Sequence, residues 1–313
     1  VQPYWAPDRT IKVCAFDAQT RDVSPRGRDC RAREGLFDPG CGCGPALRRC
    51  RVGSTRPLAR AFRRDVEIRI AAMIQEGRPY TELFTSRRAF VNGPIVHYLK
   101  YQAGLSAGVG MRPLAYDLDR LPDLSWTDDD FVPVELPAEH AGVLTSFPFL
   151  LRFQTDRARA NRFYEAFLCQ PFSPPPGGLP EVPPGTIPNP DLQKRDGCKY
   201  CHALLEPAAA HWGRWTQQGT GYLDAEAFPA VRDDCVRCAQ SGRRCSAECR
   251  LHYVTRALSP EETPFLGRLD AFRFLRAEHQ AHVERGPKLL VANANVDDRF
   301  PRCVARRALE GML

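Results

Sequence analysis

"DGCKYCHALLEPAAAHWGRW", Asp196 to Trp215, holds Cys198, two residues, Cys201 and then His202, straight after a segment crowded with proline. Cys-x-x-Cys-His is the attachment signature for c-type haem. Two thiols about one helical turn apart can form thioethers to the two vinyl groups of a porphyrin. The His that follows then lies under the iron as its proximal axial ligand. On this reading Cys198 and Cys201 carry the thioethers and His202 ligates the metal, with one covalent haem c as the cofactor. "ALLE" continues as a short helix, which Pro207 stops. Other readings compete. A thioredoxin-like dithiol wants a βαβ setting, and none is visible. A zinc knuckle wants a second ligand pair at finger spacing. A structural Cys198–Cys201 disulfide is the main alternative.

The same stretch supplies surroundings. Trp212 and Trp215 are the large rings expected to pack on the porphyrin, since aromatics bury the most surface per residue. His211 is the candidate distal ligand nearest in sequence, with Pro207 as the bend that would bring it across. Alternatively His211 and Arg214 lie at the haem edge and hydrogen-bond the propionates. Both readings stay open. The other candidates for the sixth ligand are Met73, Met111, Met312, His97, His140, His252, His279 and His282. Met73 reads as core.

Thirteen cysteines stand at 14, 30, 41, 43, 50, 169, 198, 201, 235, 238, 245, 249 and 303. That density suits an oxidising compartment and disulfides. Cys235, Cys238, Cys245 and Cys249 have no His after either pair, so they are not a second haem site. Two disulfides are expected there, with zinc or an iron–sulfur cluster as the alternative. Cys41 and Cys43 are too close to join each other and should reach Cys14, Cys30 or Cys50. Cys169 and Cys303 are solitary, and either could be the odd thiol.

Working outward, residues 1–50 are rich in Arg, Gly and Pro and read as turns pinned by crosslinks. From Pro57 to Gly77, Leu58, Phe62, Val66, Ile70, Met73 and Ile74 recur at helical spacing. A second helical stretch is expected after Pro94. Residues 111–137 read as loop, with Asp128, Asp129 and Asp130 as a solvated turn and a calcium site as the lesser alternative. Thr155 can cap a helix whose apolar face holds Phe163, Phe167 and Leu168. Nine of the twenty residues from Pro171 to Pro190 are proline, which predicts an extended, semi-rigid connector. A last helix is expected over Pro264 to Arg285, with Phe265, Leu269, Phe272, Leu275 and Val283 inward. The fold class is therefore mainly α with long disulfide-pinned loops. It divides into a Cys-rich, helical part over 1–170, the connector over 171–190, and a small cytochrome c-like haem unit over 191–313.

The hydrophobic fraction of 43% and charged fraction of 26% are those of a globular protein. The net charge of +7 comes from scattered basic residues with no aromatic-interleaved stripe, which speaks against nucleic-acid binding. No stretch approaches the run of about 20 apolar residues that a membrane span needs. The chain starts at Val1 without a Met, which reads as a mature chain after removal of an export signal.

Together, "DLQKRDGCKYCHALLEP", the aromatic "HWGRW", "ELFTSRRAFVNGP" (Glu82 to Pro94) and "GVLTSFPFLLRF" (Gly142 to Phe153) resemble blocks of a family of planctomycete and myxobacterial haem-binding, cytochrome-like proteins built from domains of unknown function. The resemblance covers most of the chain, is specific at the haem motif, and departs in the additional cysteines. It implies an exported, periplasmic or surface-associated protein with one covalent haem, and carries no reaction with it.

The expected function is electron transfer between redox partner proteins by a monohaem c-type cytochrome. No Gly-rich phosphate loop, Gly-x-Ser-x-Gly elbow or His-Glu-x-x-His is present. Two alternatives remain at this stage. One is a peroxidase-type haem enzyme with an open distal site. The other is a structural subunit of a homo-oligomer, polymer or surface complex in which haems line up.

Overall fold

The computed structural model describes residues 1–51, 55–105, 113–172, 177–178 and 189–311. The chain forms two units: residues 1–151 with 218–221, and residues 152–217 with 222–313. Both are mainly helical, and one two-stranded sheet lies in the first. Of the expected proline-rich connector, 173–176 and 179–188 lie outside the described residues, as do Met111 and Met312. Among the described residues no helix is long and apolar enough to cross a membrane.

In the first unit, residues 1–51 hold short 3-10 turns, such as Arg33–Phe37 and Pro45–Leu47, and one antiparallel bridge, Val23 to Asp29. Cys30–Cys41 and Cys43–Cys50 pin them, so Cys41 and Cys43 do reach different partners. Helix α1 (Arg56–Gln75) starts with Pro57 in its first turn. Its buried face differs from the apolar periodicity. Ala61, Phe62, Asp65 and Arg69 are buried, while Ile70 and Ile74 are exposed. The cause is an ion pair. Asp65 accepts from Arg69 at 2.9 and 2.6 Å and from the Phe90 backbone N–H at 2.6 Å. A hydrophobic count cannot see a buried charge pair that is satisfied by a neighbouring strand.

After α2 (Glu82–Thr85), strand β1 (Arg88–Val91) pairs antiparallel with β2 (Val132–Glu135), with Arg88 opposite Glu135 and Val91 opposite Val132. The loop expected over 111–137 therefore contains a strand of four residues, too short and too interrupted by Pro133 to alternate legibly. Between the strands, the helical turn expected after Pro94 forms as α3 (Gly93–His97), which Asn92 caps by accepting from Ile95 N–H, and runs on to Gln102 as a π-turn. Phe62, Ile95, Leu99 and Phe147, the last at the start of α4 (Phe147–Arg152), centre its core.

The second unit includes α5 (Asp156–Phe167). Thr155 caps it as expected, accepting from Ala158 N–H at 3.1 Å. Helix α5 packs on α6 (Lys199–Ala209). Pro207 does not stop α6. The helix passes through it and tightens into a 3-10 turn over Ala210–Trp212. Pro207 removes the bond to the Ala203 carbonyl, and Ala203 is exposed whereas Pro207, Ala208 and Ala209 are buried.

Helices α7 (Asp233–Ser241) and α8 (Ala247–His252) form a stapled pair. Cys235–Cys249 and Cys238–Cys245 are nested disulfides, so the four-cysteine cluster holds no four-thiolate site. Gly242, at φ +66°, ends α7 in the left-handed conformation that glycine adopts without penalty. Ser246 caps α8 by accepting from Cys249 N–H at 3.1 Å.

The single helix expected over Pro264 to Arg285 is not formed. The chain instead makes 3-10 turns at Pro260–Phe265, Asp270–Phe272 and Ala277–His279, then α9 (Gln280–Asn295) and α10 (Arg299–Glu310). Leu269, Phe272, Leu275 and Val283 are buried as expected. A spacing of three serves successive 3-10 turns as well as it serves one α-helix. Bridges Val231–Arg268 and Tyr253–Leu269 hold the backbone extended between those turns. Cys169 and Cys303, read as solitary, join each other and tie the end of α5 to α10. The cysteines outside the disulfides are Cys14, which is exposed, and the half-buried Cys198 and Cys201.

Candidate functional site

The motif sits at the start of α6. Cys198 is the residue before its first helical turn, and the N–H groups of Cys201 and His202 donate back to the Cys198 carbonyl at 3.2 and 3.0 Å. A helical backbone puts residues three and four apart on one face. Cys198, Cys201 and His202 therefore share a side of α6. Ten of the thirteen cysteines are in disulfides, yet Cys198 and Cys201 stand as half-buried thiols. Tyr200 and Leu204 on the same helix are exposed, at 55% and 42%.

His202 is held from one side. Its Nδ1 lies 2.5 Å from Oε1 of Glu206, one turn later. A carboxylate accepts, so Nδ1 carries a proton and donates; in the neutral ring the lone pair then lies on Nε2. Glu206 in turn accepts from Arg157 of α5, from Nε at 2.6 Å and from the second terminal nitrogen at 3.1 Å. The result is a row of three, Arg157–Glu206–His202, on the helix face that also carries the two thiols. Two thiols one turn apart with an adjacent Nε2 donor form a set that fits covalent haem attachment and axial ligation. Neither Glu206 nor Arg157 was anticipated. Glu206 was legible as an i,i+4 neighbour of His202, whereas nothing local signals Arg157.

The structure does not bring the aromatic segment to this face. Nine residues separate His202 from His211 along a continuous helix, which is about half a turn round and more than about 10 Å along the axis. His211 faces the other way, and with the helix running on through Pro207 it does not cross to His202. It is 2% exposed, donates from Nδ1 to the Gly286 carbonyl at 2.9 Å and stacks on His282 with ring centroids 4.2 Å apart. Burial, with the neighbouring His282, holds its pKa down at about 3, so it is neutral. Gly286, at φ +63°, is the kink in α9 that turns this carbonyl toward the ring. Arg214 is not poised for a propionate either. It is forked on Glu284 and donates to the Leu223 and Phe228 carbonyls, both at 3.0 Å. Trp212 and Trp215 are 0% and 2% exposed and belong to the interior of the second unit.

Further interior charge supports the site from behind. Arg159 of α5 is fully buried and donates to the carbonyls of Phe153, Trp215 and Thr216 at 2.9, 3.3 and 2.9 Å. It thereby fixes α5, which carries Arg157, to the chain that follows α6. Asp234 lies near Cys235 and Cys249, but those sulfurs are bonded to one another and are not thiolate ligands. Comparison with protein-family models, with curated proteins and with solved structures finds no match.

Proposed function

We propose that this chain is an exported monohaem c-type cytochrome that transfers electrons between redox partner proteins. The observation that carries the reading is the thiol pair of Cys198 and Cys201, kept out of disulfides in a chain where ten other cysteines are paired, with His202, whose Nδ1 faces Glu206, on the same helical face. Haem bound there would supply a one-electron iron couple. Cys198 and Cys201 would hold its vinyl positions, His202 would ligate the iron, and Glu206 would keep the Nδ1 proton in place. The exposed Tyr200 and Leu204 would lie beside the attachment face. Five disulfides support an oxidising compartment, periplasmic or at the cell surface. The sequence blocks around the motif support kinship with the planctomycete and myxobacterial haem-binding proteins.

Denaturing mass spectrometry of the native protein tests this. One haem retained on the peptide spanning Cys198 to His202 is the expected result, and replacing both cysteines with Ala abolishes it. Release of all haem into acid-acetone overturns the reading.

A further inference from the structure

We infer that Glu206, braced by Arg157, is the positioning residue that fixes the His202 ring and lowers the reduction potential of an iron bound at its Nε2. The inference rests on the haem reading above and adds a regulator of that site.

Three observations combine. First, the acceptor at His202 Nδ1 is a carboxylate rather than a backbone carbonyl, at 2.5 Å. A ligating histidine whose second nitrogen donates to a carboxylate is a stronger electron donor, since the partner draws the N–H proton and raises the ring's basicity. Greater donation, and a negative charge one side chain from the metal, both favour Fe(III) over Fe(II). Second, the carboxylate is not a swinging surface group. Both of its oxygens take Arg157, so its rotamer and the plane of the His202 ring are set together. Third, Arg157 comes from α5, which is itself anchored by the buried Arg159. The tuning group is thus fixed by tertiary structure, not only by the i,i+4 spacing within α6.

Arg157 also makes the inference directional. Its positive charge offsets part of the Glu206 charge. Neutralising Glu206 should therefore raise the potential, and neutralising Arg157 should lower it. Both follow from one row of groups, and a merely structural role predicts neither sign. The step is one electron added to Fe(III) to give Fe(II), delivered by a reducing mediator, and the Nδ1 proton stays on Nδ1 throughout.

The test is potentiometric titration of the full chain carrying its haem, as wild type, Glu206→Gln and Arg157→Gln, with haem content of each checked by denaturing mass spectrometry. Glu206→Gln should shift the Fe(III)/Fe(II) equilibrium about tenfold toward reduction, about +59 mV for one electron. Arg157→Gln should shift it in the opposite direction. If Glu206→Gln does not fold, the downward shift in Arg157→Gln carries the test alone. Haem retained in the variants with the potential unchanged, or moved the same way by both, overturns the inference and leaves the haem reading standing. A wild type with no retained haem overturns both.

Discussion

Arg214 and Glu284 are forked on each other, with guanidinium nitrogens 3.0, 2.9 and 2.8 Å from the carboxylate oxygens. With the two backbone carbonyls that Arg214 also serves, the donors of its guanidinium are spent inside the second unit. Arg214 is 2% exposed. Removing it leaves buried acceptors without donors, so Arg214→Ala should cost roughly 3 kcal/mol. Arg214→Lys should recover little of this, because an ammonium cannot span the same planar set. Denaturant midpoints check the cost. Haem content should be unchanged in any variant that folds. Altered haem content or spectrum in a folded Arg214 variant would show that the guanidinium faces the cofactor after all.

Acid should destabilise both units. His211 has a pKa held at about 3 and His97 one at about 4, each chiefly by burial. Both lie below the ordinary histidine value. The unfolded chain therefore binds more protons than the folded one between about pH 6.5 and these values. Stability is full above about pH 6.5 and falls as pH drops through that window, by up to about 1.4 kcal/mol per pH unit per histidine. Urea midpoints from pH 7 to pH 4 should show the slope, and His211→Asn should flatten it. An unchanged slope in that variant would mean that His211 already accepts a proton in the fold.

The disulfides should rank by the chain they close. Cys169–Cys303 spans 134 residues and Cys238–Cys245 only 7. Loop-closure entropy assigns about 5 kcal/mol to the first and about 2.5 kcal/mol to the second. Paired Cys→Ala replacements measured by chemical unfolding should reproduce that order, and replacing Cys235 and Cys238 should lower stability while haem stays in place.

Alkylation of the unfolded, unreduced protein should count thiols. With haem attached, Cys14 alone should react. Without it, Cys14, Cys198 and Cys201 should all react, being the three cysteines outside the disulfides. A count of one in haem-free protein would reveal a Cys198–Cys201 disulfide.

The parts of this molecule legible in the sequence are those whose causes are local. Thr155 precedes an amphipathic run and caps it. Cys41 and Cys43 are too close to join, and they do not. Cys198, Cys201 and His202 need only one helical turn to meet. What escaped reading depends on groups distant in sequence. Glu284 takes up Arg214, Gly286 takes up His211, and Arg157 reaches Glu206 across 49 positions. The burial of Asp65 and Arg69 likewise needs Phe90, which no periodicity of α1 reveals. The apolar residues Phe265, Leu269, Phe272 and Leu275, spaced by three or four, suggest one helix over Pro264 to Arg285, yet spacing alone does not separate α from consecutive 3-10 turns.

The Cys169–Cys303 bond also sets an order of events during biogenesis. A chain made from its N-terminus exposes Cys169 first and Cys303 only 134 residues later. Cys198, Cys201, Cys235, Cys238, Cys245 and Cys249 all appear in the interval. Cys169 must wait as a thiol while these competitors pass, and the nearest of them are Cys198 and Cys201, which end outside the disulfides. Mispairing of Cys169 with Cys198 or Cys201 would close a small loop at once and strand Cys303. Early capture of Cys198 and Cys201 by a cofactor would remove them from that contest, so maturation of the site and correct oxidation of the second unit would be one process rather than two.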